Sequence, residues 1–267
     1  MMKALSKNLN FILLLIKFKF SRMMMFRSDF FLAFFADGAL FIVQLLTFEA
    51  IYLHLDSIGG WTRGQMIIFV GTFSLINALN MVIYFFGIVD LPDKIRRGDL
   101  DKYLTKPGSP LLRLTFENFN VGSIPLIIFS ILIIAYGVRV AGVEVSIFLG
   151  IGYTFFVLLM TLLWYDMELI LRCITFFVLS AGGIMHIESQ LIDFNFKVPG
   201  ILYKGVFRMI FYFILPYGIM STVPTQLISG SISPGGLIVS ALTVIAFTTF
   251  ALWFWKLGLR HYKSASS

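Results

Sequence analysis

Three histidines, one cysteine and fourteen carboxylates are the side chains from which metal or acid–base chemistry would have to be built in this chain. His54, His186 and His261 stand far apart, with no His-Glu-x-x-His or similar spacing. Each therefore reads as an interfacial or hydrogen-bonded histidine rather than a ligand. Cys173 is alone, which excludes an internal disulfide and a cysteine-only metal site within one chain. No Gly-x-x-x-x-Gly-Lys-Ser/Thr run is present to cradle a nucleotide phosphate. The expected set of catalytic, cofactor-binding and metal-binding residues is empty. An intramembrane enzyme acting on lipids would have to converge Asp37, Glu49, Asp166 and Glu168 in one pocket, and nothing in their spacing does so.

A different kind of chemistry, docking, is suggested by the compact charged island at 93–107. Ile95, Leu100, Tyr103 and Leu104 are apolar there, and Lys94, Arg96, Arg97, Asp99, Asp101, Lys102 and Lys106 lie between and around them. Leu100, Tyr103 and Leu104 fall at i, i+3 and i+4, which makes one side of a short helix greasy. Gly98 permits a tight turn at its start and Pro107 ends it. A short amphipathic helix with a polar rim suits docking on another protein. The plainer alternative is a solvated loop resting on headgroups.

The surrounding elements are built for lipid. The composition is 58% hydrophobic and 16% aromatic, and the mean hydropathy is +0.90. Only 13% of residues are charged, against about 25% in soluble domains. The net charge of +7 does not point to nucleic acid, because Lys and Arg flank apolar segments rather than cluster on a soluble domain. A span needs about 20 mainly apolar residues. Six segments are expected to qualify: 30–54, 64–89, 117–138, 146–170, 205–223 and 237–255. Residues 1–29, basic and rich in Phe, Leu and Met, read as an interfacial helix rather than a cleaved signal. The segment 171–204 reads as interfacial or re-entrant, and Pro216 and Pro224 suggest a re-entrant piece outside, between spans five and six.

With the N-terminus inside, only Arg63 and Arg139 of the 21 Lys and Arg fall in outer loops. That places both termini and the 90–116 loop in the cytoplasm of a multi-pass cell-membrane protein. Within the spans a charge costs about 2.5–3.5 kcal/mol at the bilayer centre. Glu168 and Arg172, at i and i+4, are expected to pair. Asp37, Gln44, Glu49, Asn77 and Asn80 have two open readings: polar glue between helices, or lining of a polar pathway.

The chain resembles the permease subunits of ABC-2 type transporters, in a branch of small permeases, over essentially its whole length. The markers are Ile58-Gly59-Gly60-Trp61, the run from Ile95 to Pro107, Ile214-Leu215-Pro216, Val223-Pro224, and Gly258-Leu259-Arg260-His261-Tyr262 with the Ser-rich tail. The resemblance implies a single transmembrane domain over 1–267, all-α, with six spans, an N-terminal interfacial helix, a cytoplasmic coupling helix and outer re-entrant helices. It implies a partner ATPase that binds ATP, so no cofactor of its own, and a second permease, a heterodimer rather than a homodimer. Ile95, Arg96, Arg97, Gly98, Asp99, Leu100, Asp101, Tyr103, Leu104 and Pro107 would couple the ATPase to an exporter. Its rival is a non-transporting membrane anchor or assembly protein. Lipid is the other expected contact, and nucleic acid is not.

Overall fold

A computed structural model describes residues 27–178 and 182–262, without the side chains of 27–34, 36 and 37. The expected interfacial helix at 1–29 lies almost wholly outside the described residues. The described chain is helical: α1 (Arg27–Tyr52), α2 (Arg63–Ile83), α3 (Phe85–Ile88), α4 (Leu91–Arg96), α5 (Asp101–Leu104), α6 (Pro110–Glu117), α7 (Ile124–Ala141), α8 (Ile147–Cys173), α9 (Gly182–Lys197), α10 (Gly205–Met209, continued by a π turn Ile210–Ile214), α11 (Tyr217–Met220), α12 (Thr222–Ile228) and α13 (Pro234–His261).

Local sequence sets the boundaries. Thr62 and Gln65 form a capping box at the start of α2, with the Thr62 N–H donating to Gln65 Oε1 at 2.8 Å. Ser146 and Ser233 cap α8 and α13, accepting from Leu149 N at 3.2 Å and Gly236 N at 3.1 Å. α7 ends at Gly142, whose φ of 66° lies in the left-handed region open to glycine.

The six-span expectation is corrected. Among the described residues four helices are long and apolar enough to cross a membrane: Arg63–Ile83, Val121–Ala141, Ile147–Phe176 and Pro234–His261. A fifth is reached only by counting Gly205–Ile214 and Tyr217–Ile228 as one despite an 80° bend. Of the expected span at 30–54, the apolar helix found among the described residues is Gly38–Tyr52, which carries Gln44 and Glu49. The expected span at 205–223 is broken where Pro216 removes a backbone donor.

That broken pair dips and returns. Arg208 and Gln226, one from each arm, line a cavity with Ser233 and Gly236 at the start of α13. Ile214 and Leu215, at the bend, line another with Met167, Leu171, Ala246 and Phe250, far along α8 and α13. Both arms thus begin and end at one level, the geometry of a re-entrant hairpin.

The segment 171–204, expected to be interfacial or re-entrant, folds back into the bundle. α9 starts beside the C-terminal end of α8, where Glu188 meets Arg172, and runs back along it. Its Phe196 packs on Phe41 and Phe73 with ring centroids 5.3 and 4.7 Å away. Ile201, just beyond, joins the cluster around Trp61. Lys197, Lys204 and Arg208 therefore come out toward the Trp61 end rather than the island end.

Helix α2 is central and α13 peripheral: 72% of the most apolar stretch of α2 is buried, against 17% for α13. α2 packs most tightly on α7, where small residues let the backbones approach. A Cβ on Gly71 would lie 2.8 Å from Ile134 Cγ1, and one on Gly137 2.8 Å from the Ile68 nitrogen. Ser74 and Ser130 hydroxyls bond across the same seam at 2.6 Å.

Candidate functional site

The island folds as two short helices, α4 and α5, meeting at Gly98 with φ of 74°. Its centre of attachment is Leu100, fully enclosed with Leu91 among Ile88, Leu111, Leu114, Leu169, Cys173, Ala251 and Trp255. Those partners come from α3, α6, α8 and α13, so Leu91 and Leu100 seat the island in one apolar cluster to which four helices contribute. Ile95 and Tyr103 are half-buried against the same cluster. The Tyr103 hydroxyl donates to the Glu117 carboxylate, and the Lys94 ammonium sits 5.6 Å over its ring. Burial, then that carboxylate, pushes the Tyr103 phenol well up from its ordinary value. Tyr262, just past α13, faces Asp101, and burial followed by that carboxylate pushes its phenol up to about 12.

The expected greasy side is thus divided. Leu100 points into the chain, Tyr103 lies between, and Leu104 is 40% exposed. What faces outward is a charged rim: Asp93, Arg96, Arg97, Lys102, Thr105, Lys106 and Pro107 are exposed. Arg96 pairs with Asp93, and Lys102 with Asp99 at 2.6 Å. The hydrogen bond from Lys102 holds the Asp99 carboxyl below its ordinary value.

The five residues with two open readings are scattered. Glu49 at the end of α1 pairs with Arg63 at the start of α2, 2.7 Å apart. Gln44 is buried, and Asn77 donates to the Met81 sulfur at 3.7 Å. Asn80 is buried and donates to Glu168 Oε1 at 3.2 Å. The Asp37 side chain lies outside the described residues. Glu49 and Asn80 thus bond to neighbouring helices, whereas Asn77 bonds within its own.

One constellation escaped sequence reasoning. Glu168 and Arg172 do not pair through their charged groups: Arg172 Nη1 lies 3.0 Å from Glu188 Oε2 on α9. Asp166 turns the other way and accepts from Thr248 on α13. The readable signal was Arg172 itself, a cation at the end of an apolar helix with two acids within six residues. Its partner was hidden because 171–204 reads as interfacial or re-entrant, with nothing in its sequence to place Glu188 beside Arg172.

Among the described residues no group of three or more His, Cys, Asp or Glu is placed to hold a metal ion. A family model described as ABC-2 family transporter protein matches residues 39–266, most of the chain. No curated protein and no solved structure matches it.

Proposed function

This chain belongs to the ABC-2 family of transporter proteins, and from that premise we propose that it is the membrane subunit of an exporter driven by a separate ATPase. It is a multi-pass membrane protein of permease type. The observation that carries the proposal is the seating of the island: Leu91 and Leu100 are buried in one cluster with residues of α3, α6, α8 and α13 while the charged rim faces outward. A force applied to that rim is delivered through rigid packing to several helix ends together, which is what coupling demands. Charges around the rim suit a docking surface whose register is fixed electrostatically. In this role Leu100 transmits force, and Leu104, Arg96, Arg97, Asp99, Lys102 and Lys106 meet the ATPase.

The island side is cytoplasmic in this reading. Lys94, Arg96, Arg97, Lys102, Lys106, Arg113, Lys256 and Arg260 gather there, against Arg63, Arg139, Lys197, Lys204 and Arg208 at the other end. Exposed apolar residues along α7, α8 and α13, such as Ile131, Phe155 and Leu242, suit lipid and a second permease. The test is isolation of the full chain from its membrane in mild detergent. Retention of an ATPase, and ATP-dependent export from cells carrying the chain, are expected. A stable assembly with no ATPase would mark a membrane anchor instead.

A further inference from the structure

Glu168, Arg172 and Glu188 form a buried charge cluster that the coupling surface does not use. They are 2%, 4% and 3% exposed, so two carboxylates share one guanidinium without solvent to screen them. Arg172 Nη1 donates to both oxygens of Glu188, at 3.2 and 3.0 Å, and to the Glu168 backbone carbonyl at 3.2 Å. The Glu168 carboxyl is held by other donors: its Oε1 accepts from Trp164 Nε1 at 3.0 Å and Asn80 Nδ2 at 3.2 Å. Its Oε2 is enclosed without a hydrogen-bond partner, and so is the Oδ1 of Asn80. An ionised Glu168 would put a surplus negative charge beside Glu188, with one oxygen facing no donor. A low-dielectric interior penalises that arrangement heavily. A proton on Oε2 removes the surplus charge.

We propose that Glu168 is a proton-binding site, neutral while α8 and α9 are packed as they are here and releasing its proton when they part. Release transfers the proton to water admitted between the helices and leaves a carboxylate on Glu168. Glu168 and Arg172 lie four residues apart on one helix, within reach without backbone movement. The Arg172 Nε is enclosed and unpartnered, a donor held in reserve. A charged Glu168 therefore draws Arg172 away from Glu188 and unfastens α9 from α8. The polar and titratable groups facing the cluster are Asn80 from α2 and Tyr84 just past it, Trp164 and Tyr165 from α8, Glu188 from α9 and Tyr217 at the hairpin bend, whose hydroxyl lies toward Glu188. Asp166 shares the helix but engages Thr248. The re-entrant hairpin thus touches the cluster through Tyr217, and its position is linked to the proton.

Difference infrared spectroscopy on the full chain in lipid reads the carbonyl stretch of a buried protonated carboxyl. At neutral pH a component of that band is expected to vanish in Glu168→Gln and to persist in Asp166→Asn, whose carboxyl engages Thr248 instead; Glu188→Gln, which frees Arg172 to pair with Glu168, is expected to lose it as well. In spin-labelled wild type, raising the pH is expected to remove that component and lengthen the distance between α8 and α9, and Glu168→Gln is expected to hold that distance fixed. A band unchanged by Glu168→Gln, or a component lost only in Asp166→Asn, overturns the assignment. If the Gln variant does not fold, the wild-type band decides alone, since its absence overturns the site. The readout requires neither ATPase nor cargo, so its failure leaves the transport reading untouched.

Discussion

Gly87 lies so close to Leu114 that a Cβ placed on it would come within 2.1 Å of the Leu114 carbonyl oxygen, with the Thr115 carbonyl at 2.7 Å. Both obstacles are backbone, which cannot turn aside as a side chain can. The contact joins α3 to α6, the two helices that flank the island on the chain. Gly87→Ala is expected to force them apart and cost about 1–3 kcal/mol, the usual range for overpacking. Gly152→Ala on α8 is the control, because its Cβ would meet Leu227 at an ordinary 3.7 Å. That change is expected to be neutral or to stabilise by about 0.5–1 kcal/mol. Thermal unfolding midpoints of the two variants in one detergent decide the matter.

Leu100 and Leu104 separate structure from docking. Leu100→Ala empties a site that is 0% exposed and is expected to cost about 2–5 kcal/mol. Leu104→Asp alters an outward residue and is expected to change stability by less than about 0.5 kcal/mol. It is nonetheless expected to weaken ATPase association about tenfold, a loss of about 1.4 kcal/mol. Melting curves and co-purification yields, measured on both variants, should dissociate in this way. Equal yields for Leu104→Asp and wild type would remove the rim from the docking surface.

The seam between α2 and α7 depends on missing side chains. A Cβ on Gly71 would press on Ile133 Cγ2 at 2.9 Å as well as Ile134, and Gly137 faces the backbone of Ile68. Gly71→Val and Gly137→Val are each expected to destabilise by about 1–3 kcal/mol or more. Loss of the Ser74–Ser130 bond should accompany the separation. Cysteine pairs introduced across the seam at 74 and 130 are expected to cross-link in the parent chain and poorly in the Val variants.

Helix type, the apolar cores of four spans and the turn at Gly98 within the island were legible because hydropathy and turn residues act locally. Residues 205–223 were misread as one span because a window of apolar residues carries no direction, and only Pro216 hinted at a bend. α9 was misread for the opposite reason. Glu188, Asp193 and Lys197 make it look aqueous, yet Glu188 is buried by an ion pair with a helix sixteen residues earlier. The facing of Leu100 was also beyond the sequence. Periodicity shows that Leu100, Tyr103 and Leu104 share a side, but not whether that side meets a partner or the chain's own core.

Two ion pairs of similar length should differ widely in worth. Arg63 and Glu49 are 2.7 Å apart with side chains 47% and 33% exposed, and Arg172 and Glu188 are 3.0 Å apart with 5% and 4%. Solvent screens the first pair, so Glu49→Gln is expected to cost no more than about 1 kcal/mol, and less as salt rises. Arg172→Met leaves the Glu188 carboxylate buried without its cation, and a broken buried pair costs about 3–5 kcal/mol. Replacing both, Arg172→Met with Glu188→Leu, is expected to recover most of that loss, because no uncompensated charge remains. A double-mutant cycle of unfolding free energies measures the coupling. A cycle in which the double variant is as unstable as Arg172→Met alone would mean that the pair is not what holds α9 against α8.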